Sequence, residues 1–549
     1  MVWLPWPCSA KLVFGNAYTV PARRDTMHLM KNNARTMVEK GGVIVDGENL
    51  SIQGIVDALS GVAVTVSPRA LKNMADTRAT LLAHATDRPI YGVNTGFGPM
   101  VRHIISSDDL SALQYNLVRG HAVGMGVPIK ESFAFAAMLI RLNTLVKGMS
   151  CASPALAQKL TALINQRVVP VIPEHGAVGT SGDLVQLAHI ALTLLGEGNV
   201  FYEGKIIPTK AAFKKVSLTP HVLGPKEGLS LINGTSVMTA IAALLVREAE
   251  HLVTLSARVG ALSLEIVQGF TDILDGALHE ARPHPGQIYI AELMRKATAD
   301  SKRMRAREHM KKYVQIQKET YATDIVLQEV YSMRCIPQIL GPAYETIQNA
   351  KRVVEIEMNS VTDNPILDKK TTRFLHGGNF HGDYVATAVD HMKVGLAKIT
   401  MLSERRVNYF LNKNVNHSFA PFLNMQTPGL SMGLQGLQFV ATSTTALNQS
   451  LGYPHSLHSI PTNGDNQDVV SMGTDAALIT AKVTENAYTV LAIEMVTLAQ
   501  AVDLLGIEKM LSTSGRELYR DTRAQIKAVI ADRTLTTELN NLADSLRPL

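Results

Sequence analysis

The feature that most constrains this chain is the length of its helical patterns. Apolar residues recur at three- and four-residue spacing from Ser236 to about Gly269, through Ile325 to Met358, from Val385 to Leu411 and from Asp475 to Leu505. Periodic segments that approach or exceed about 25 residues bury their stripes against one another, so they predict a long-helix bundle. Shorter segments of the same period lie upstream, in LSALQYNLVRGHAVGMG, FAFAAMLIRLNTLVKGMS and ALAQKLTALINQRV. Strand-like patterning is confined to VVPVI (168 to 172) and VFYEGKIIP (200 to 208), where Glu203-Gly204 reads as a hairpin turn. The expected fold is mainly α.

Composition agrees and removes several function classes. Of 549 residues, 46% are hydrophobic and 18% charged, which excludes a disordered or fibrous chain. Aromatics reach only 5% while methionines number 22, a balance that suits helix packing better than a sandwich or barrel. Three units are expected: an extension over 1–42, disordered or loosely ordered, an N-terminal domain over 43–230, and the long-helix bundle with C-terminal helices over 231–549. Asp46-Gly47-Glu48-Asn49-Leu50-Ser51 predicts a turn and helix cap near the start of the second unit.

The net charge of +6 is spread along the chain rather than gathered into a basic patch with interleaved aromatics, which argues against nucleic acid. The densest basic run, Lys302 to Lys312, reads as a solvated helix face or mobile loop. Cys8, Cys151 and Cys335 are far apart, with no CxxC pair and no companion ligands at metal spacing. The expectations are no metal, no disulfide framework and a reducing cytoplasm. MVWLPWPCSAKLVFG is apolar but has two prolines and no basic start, so it reads as an extension rather than a leader. The longest uncharged run, Gly228 to Val246, holds Asn233, Gly234, Thr235 and Ser236, which would be costly in lipid. A buried core helix, and no membrane span, is expected there.

Between the helical segments lie polar glycine- and asparagine-rich loops: YGVNTGFGP (91–99), HGAVGTSGDL (175–184), NGTS (233–236), HGGNFHGD (376–383) and TNGDNQDV (462–469). Loops held by a rigid scaffold carry function disproportionately. Taken alone, GTSGD is ambiguous. It reads as a glycine-rich turn with Ser181 or Asp183 capping the helix that follows. It is not a phosphate loop, since no lysine follows, nor a nucleophile elbow, since Ser181 is followed directly by Gly182.

GTSGDLVQLAHIAL resembles the signature of the histidine, phenylalanine and tyrosine ammonia-lyases and the related 2,3-aminomutases. The likeness runs from about residue 44 to about 520 and is most detailed with bacterial tyrosine 2,3-aminomutases. It implies the mainly helical fold of the fumarase/aspartase-like superfamily, with a smaller N-terminal domain carrying the cofactor loop. It also implies that Thr180, Ser181 and Gly182 close on themselves to form 4-methylideneimidazol-5-one, with no external cofactor. Most members have Ala where this chain has Thr180, and the Thr-Ser-Gly variant is associated with some aminomutases.

The resemblance extends to further residues. In YGVNTGFG, similar to the family's lid loop, Tyr91 is implied as the general base and Gly98 as part of the binding loop. KEGLSLINGTS implies that Asn233 holds ring and substrate. Gln328, Tyr331 and Arg334, spaced by three in QEVYSMRCIPQ, would share one stripe if helical. Arg334 resembles the bidentate clamp for the substrate carboxylate, Gln328 a binding residue and Tyr331 a second catalytic hydroxyl. Phe380 would stack near the substrate, and Asn466 and Gln467 would support substrate and ring. Histidine ammonia-lyases have Glu where this chain has Gln467.

Gly120-His121 falls where histidine lyases and bacterial tyrosine aminomutases have Ser-His, so His121 matches and Gly120 departs. His417 falls where a tyrosine aminomutase offers a Tyr to the phenol, and these three residues are assigned to the side-chain pocket. The implied activity is movement of the amino group of an aromatic L-amino acid to the β-carbon, with tyrosine preferred to histidine and histidine to phenylalanine. Its rivals are simple ammonia release, a non-catalytic helical scaffold, and a fumarase-like dicarboxylate chemistry that would not need Thr-Ser-Gly. A homotetramer whose sites combine several chains is implied.

Overall fold

The structure is a computed structural model that describes residues 42–85, 87–323 and 325–548. All but the last residue of the expected 1–42 extension, and with it Cys8, lie outside the described residues.

The described chain opens on β1 (Val43–Val45), α1 (Ile52–Leu59) and β2 (Val64–Val66), whose strands pair in parallel with Val43 opposite Val64. The predicted turn and cap are present. Asp46 Oδ1 accepts from the Glu48 and Asn49 amides at 2.8 and 3.0 Å, and Ser51 Oγ accepts from Gly54 N at 3.0 Å. Helices α2 (Pro68–His84), α3 (Leu110–His121), α4 (Glu131–Val146) and α5 (Pro154–Asn165) follow, with β3 (Met125–Pro128) between α3 and α4. Strand β4 (Val169–Pro170) pairs with β6 (Asn199–Tyr202), which turns at Glu203-Gly204 into β7 (Lys205–Pro208) as expected. The pairs β1 with β2, β3 with β5 (Pro173–His175), and β8 (Ile366–Asp368) with β9 (Arg373–Leu375) were not expected. With three or four residues each, they are too short to display an alternating pattern.

After α6 (Leu184–Leu194), α7 (Thr209–Lys215) and α8 (Glu227–Ile232) comes the bundle, built on α9 (Ser236–Ile266), α13 (Ile336–Glu357), α14 (Asp383–Leu411) and α17 (Gly473–Leu505). Helices α10 (Gly276–Glu280), α11 (Pro285–Ala297) and α12 (Tyr331–Arg334) lie between α9 and α13 in sequence. Helices α15 (Lys413–Asn416) and α16 (Gln435–Leu451) join α14 to α17, and α18 (Thr513–Gln525) and α19 (Thr536–Ser545) close the chain. Helix α17 is long and apolar enough to cross a membrane, but it packs on α9, α14 and α16, with most of its residues buried.

Direction along the bundle decides what meets what. Thr235 Oγ1, just before α9, donates to Glu357 at the end of α13, at 2.6 Å, while Ile336 at the start of α13 packs beside Gly260. Helices α9 and α13 are therefore antiparallel. Helix α14 starts at the α9 N-terminal end, because Gly382 N donates to Gly179 O at 3.0 Å.

Two expectations are corrected. The helix predicted through Ile325 to Met358 begins only at Tyr331 and breaks at Cys335. Before it, the backbone is committed elsewhere: Arg307 Nη1 donates to Leu327 O at 2.8 Å and the buried Glu329 accepts from Phe270 N at 2.8 Å. The basic run 302–312 is also not simply a solvated face. Arg303 donates to Glu265 O and Ile266 O, and Arg305 and Arg307 stack on the buried Phe270 ring at 4.4 and 4.1 Å.

Candidate active site

Thr180-Ser181-Gly182 is the turn that delivers the chain into α6, and it is gripped by the turn that delivers it into α9. Gly234 N donates to Ser181 O at 3.2 Å, and Asp183 N donates to Gly234 O at 2.7 Å. Gly182 has φ +69°, and a Cβ there would sit 1.9 Å from Gly234 O. Only glycine permits both the left-handed backbone and this approach. Gln467 Nε2 donates to Ser181 Oγ at 3.0 Å, and Ser471 Oγ to Gly179 O at 3.0 Å. Thr180 is buried, and its hydroxyl has no hydrogen-bond partner.

Asp183 occupies the N-cap position of α6 but makes no side-chain cap there, contrary to the simple turn-and-cap reading. Its carboxylate instead accepts from Val237 N at 2.7 Å, from Met238 N at 3.1 Å and from Thr474 Oγ1. It thus caps α9 and ties down the first turn of α17. Burial pushes the Asp183 carboxyl up to about 6, partly opposed by the Thr474 hydroxyl, the two amides and the Arg141 charge. The N-termini of α6, α9, α14 and α17 all converge beside the tripeptide. Each carries roughly half a positive charge, so together they favour negative charge developing there.

The 91–99 loop sits at the same end. Gly98 N donates to the Tyr91 hydroxyl at 3.0 Å, and the Tyr91 ring meets Phe97 edge-on at 6.2 Å. A Cβ on Gly98 would fall 2.6 Å from Asn463 Nδ2, so this loop touches the loop carrying Asn466 and Gln467. Asn466 is exposed and Gln467 half-buried. Asn233, the residue that ends α8, is buried and donates to Asp363 Oδ1 at 3.2 Å and Asn364 O at 3.3 Å. Phe380, half-buried, lies two residues before Gly382 and so at this end too. His121 closes α3, which packs on α6 and α8; its Nδ1 is bonded to Leu117 O at 2.8 Å, and Gly120 beside it is open.

The remaining predicted site residues lie elsewhere in the protomer. Arg334 stands at the start of α13, beside the Gly260 region, and Ser236 to Gly260 spans about 36 Å of helix. Its guanidinium stacks on the Tyr331 ring at 4.6 Å and its Nε is buried without a partner. Tyr331 is 69% exposed. Gln328 is exposed and outside any helix, so the predicted stripe of Gln328, Tyr331 and Arg334 does not form. His417 follows the far end of α14, about 43 Å of helix from Gly382, and is exposed.

Residues 50–524 match the family described as aromatic amino acid lyase. The chain is 36% identical to a histidine ammonia-lyase of Bacillus mycoides over 92% of its own length and 97% of that protein. Among solved structures, a tyrosine aminomutase from Streptomyces globisporus matches with TM-score 0.89 and 36% identity, covering 92% of this chain and 96% of that one. The Pantoea agglomerans phenylalanine aminomutase matches with TM-score 0.89 and 34% identity, covering 92% and 99%. The chain belongs to the aromatic amino acid lyase family. It is thus an enzyme of the group that contains these lyases and aminomutases, with the fumarase-like helical fold the resemblance implied.

Several residues that shape this lyase-family site escape a motif-based reading. Arg141, fully buried in α4, donates to Ser230 O, to Asn233 O at 2.8 Å and to Thr362 O at 3.2 Å, and burial pushes its guanidinium down to about 10. Lys226 and Asp363 form a wholly buried ion pair at 2.6 Å, and Asp363 in turn accepts from Asn233. Gln114 bridges the 91–99 loop to α8, donating to Gly92 O and accepting from Leu229 N, both at 3.1 Å. One signal was available in the sequence: Arg141 is the only charged residue in FAFAAMLIRLNTLV. A charge in so apolar a run is buried with partners or not tolerated.

Proposed function

We propose that this enzyme is an aromatic L-amino acid 2,3-aminomutase, preferring tyrosine to histidine and histidine to phenylalanine, with some ammonia release. The observation that carries the reading is the Thr180-Ser181-Gly182 turn with a glutamine, not a carboxylate, donating to Ser181 Oγ. Among the solved structures it resembles is one named tyrosine aminomutase. The alternative is an ammonia-lyase releasing an arylacrylate, which the naming of the curated relatives as histidine ammonia-lyases favours.

The residues fit a self-formed 4-methylideneimidazol-5-one. Gly182 is held where no Cβ could go, and the Ser181 hydroxyl that must depart is already engaged by the Gln467 amide. When closed, the ring supplies an electron-poor carbon that takes up the substrate amine and converts it into a leaving group. Tyr91 accepts the β-proton at its phenol oxygen, and the Gly98 amide that donates to the phenol is placed to donate to a phenolate. Asn233 is fixed by Asp363 and Asn364 O, so its position costs little to organise on binding. His121 lines the side-chain end of the site. The amine then either leaves with the arylacrylate or adds back at Cβ while the lid is closed.

Arg334 would hold the substrate carboxylate in a bidentate fork, but it cannot do so in its own protomer, about 36 Å away. We therefore assign Arg334, Tyr331, Gln328 and His417 to the sites of neighbouring copies in a homotetramer. Val326, Val330 and Tyr331 at the far end, and Phe439 and Leu447 on α16, are exposed apolar residues that neighbours would cover. Incubation with tyrosine, histidine and phenylalanine, resolving β-amino acid from arylacrylate by chromatography, tests the reading. β-Amino acid as the early product supports it; acrylate and ammonia alone favour the lyase, and neither product from any of the three overturns the proposed activity on these substrates.

A further inference from the structure

Thr180 is 4% exposed and its Oγ1 is buried with no hydrogen-bond partner. Orphaned buried hydroxyls are rare because each forfeits its bonds to water. The residues on either side of it are held by other partners, Gly179 O by Ser471 Oγ and Ser181 Oγ by Gln467 Nε2. Along the chain the polar atoms in reach are Thr180's own carbonyl oxygen, to which the hydroxyl is not bonded and which ring closure expels, and the Ser181 nitrogen. In the open tripeptide that atom is an amide N–H, a donor, and offers the hydroxyl nothing to donate to.

We propose that the Thr180 hydroxyl finds its acceptor only after ring closure, donating to the ring nitrogen contributed by Ser181 and raising the electrophilicity of the methylidene carbon. The proposal rests on the ring formation described above. In closure the Gly182 nitrogen bonds to the Thr180 carbonyl carbon. The carbonyl oxygen leaves as water, taking the protons of the Gly182 and Ser181 nitrogens, and a carbon–nitrogen double bond to Ser181 N remains. Ser181 then loses its hydroxyl and its Cα hydrogen as a second water. Its nitrogen has changed from a donor into an acceptor with an in-plane lone pair.

From Thr180 this bond closes a six-membered loop through the hydrogen, Oγ1, Cβ, Cα, the former carbonyl carbon and the nitrogen. Rotation of χ1 forms it, and the β-branch limits the rotamers that compete. The bond draws electron density from the carbon–nitrogen double bond, which is conjugated with the methylidene. An alanine at this position offers no such donor. Here the hydroxyl that looks like a defect in the open chain becomes part of the electrophile.

The test uses full-length wild type, Thr180→Val, Thr180→Ala and Thr180→Ser, without substrate. Intact mass reports ring closure as the loss of two waters. The near-ultraviolet difference band against Ser181→Ala reports the ring's electronics, and the rate at which cyanide bleaches that band reports electrophilicity. Thr180→Val and Thr180→Ala are expected to close, to shift the band and to react with cyanide about threefold to tenfold more slowly than wild type and Thr180→Ser. Closed rings with wild-type band and rate in both would overturn the proposal alone. Closure in Thr180→Ser but in neither Thr180→Val nor Thr180→Ala would also overturn it, because the hydroxyl would then act before its acceptor exists. A wild type with no mass deficit would remove the ring itself, and the proposal with it.

Discussion

Gln467 Nε2 donates to Ser181 Oγ at 3.0 Å across 286 residues of sequence, joining the 462–469 loop to the turn that starts α6. A carboxylate in its place would meet an imidazole ring, a donor that can carry charge, more favourably than a neutral phenol. Gln467→Glu is therefore expected to raise the ratio of kcat/KM for histidine over tyrosine by about tenfold, the scale of one charge-assisted hydrogen bond. Steady-state kinetics on both substrates check this, and an unchanged ratio would mean that position 467 does not sense the side chain.

Gly182→Ala places a Cβ within 1.9 Å of Gly234 O, on a backbone with φ +69°. The bundle, whose core is set along the length of α9, α13, α14 and α17, is expected to form with native circular dichroism, while the intact mass shows no loss of water and activity falls below detection. A Gly182→Ala protein that still lost two waters would show that the close approach to Gly234 is not required.

Asp183 gives a pH-dependent expectation. Its folded-state value of about 6 is raised above the ordinary 3.8 by burial, so its contribution to stability is fully present below pH 4 and is lost as pH rises through 6. Asp183→Asn removes this titration while an amide oxygen can still accept from Val237 N and Met238 N. The difference in unfolding free energy between variant and wild type is expected to move in the variant's favour between pH 4 and pH 7, by an amount of order 2–3 kcal/mol, with Tm moving in the same direction. Thermal melts across that range check it; a parallel pH profile for the two proteins would contradict it.

The separation of Arg334 from Ser181 predicts complementation. Arg334→Lys lacks the bidentate fork and Ser181→Ala lacks the methylidene, so each homo-oligomer is expected to be inactive. If one site draws Ser181 from one chain and Arg334 from another, random mixed oligomers should recover about one quarter of wild-type activity. Co-refolding or co-expression followed by an activity assay reads this directly. No recovery in verified mixed oligomers would contradict the shared site.

Much of the architecture is legible in sequence because it is local. Long helical periods, the Glu203-Gly204 turn and the Ser51 cap each depend on a few consecutive residues. The stretch before Tyr331 carries a helical pattern but is spent otherwise: Glu329 turns inward to Phe270 N and Leu327 O is taken by Arg307. Partners 20 and 59 residues distant override the local preference there. The same reasoning separates the site residues. Ser181 and Gly182 stand in a motif whose chemistry is written in its own backbone. The work of Asp183, Arg141 and Lys226 is defined by what reaches them from other helices, and a motif does not record that.

Intact-protein mass of wild type beside Ser181→Ala tests the central claim most directly. Wild type should be lighter than its sequence mass by two waters, with Ser181→Ala at full mass. A wild type at full sequence mass would contradict it.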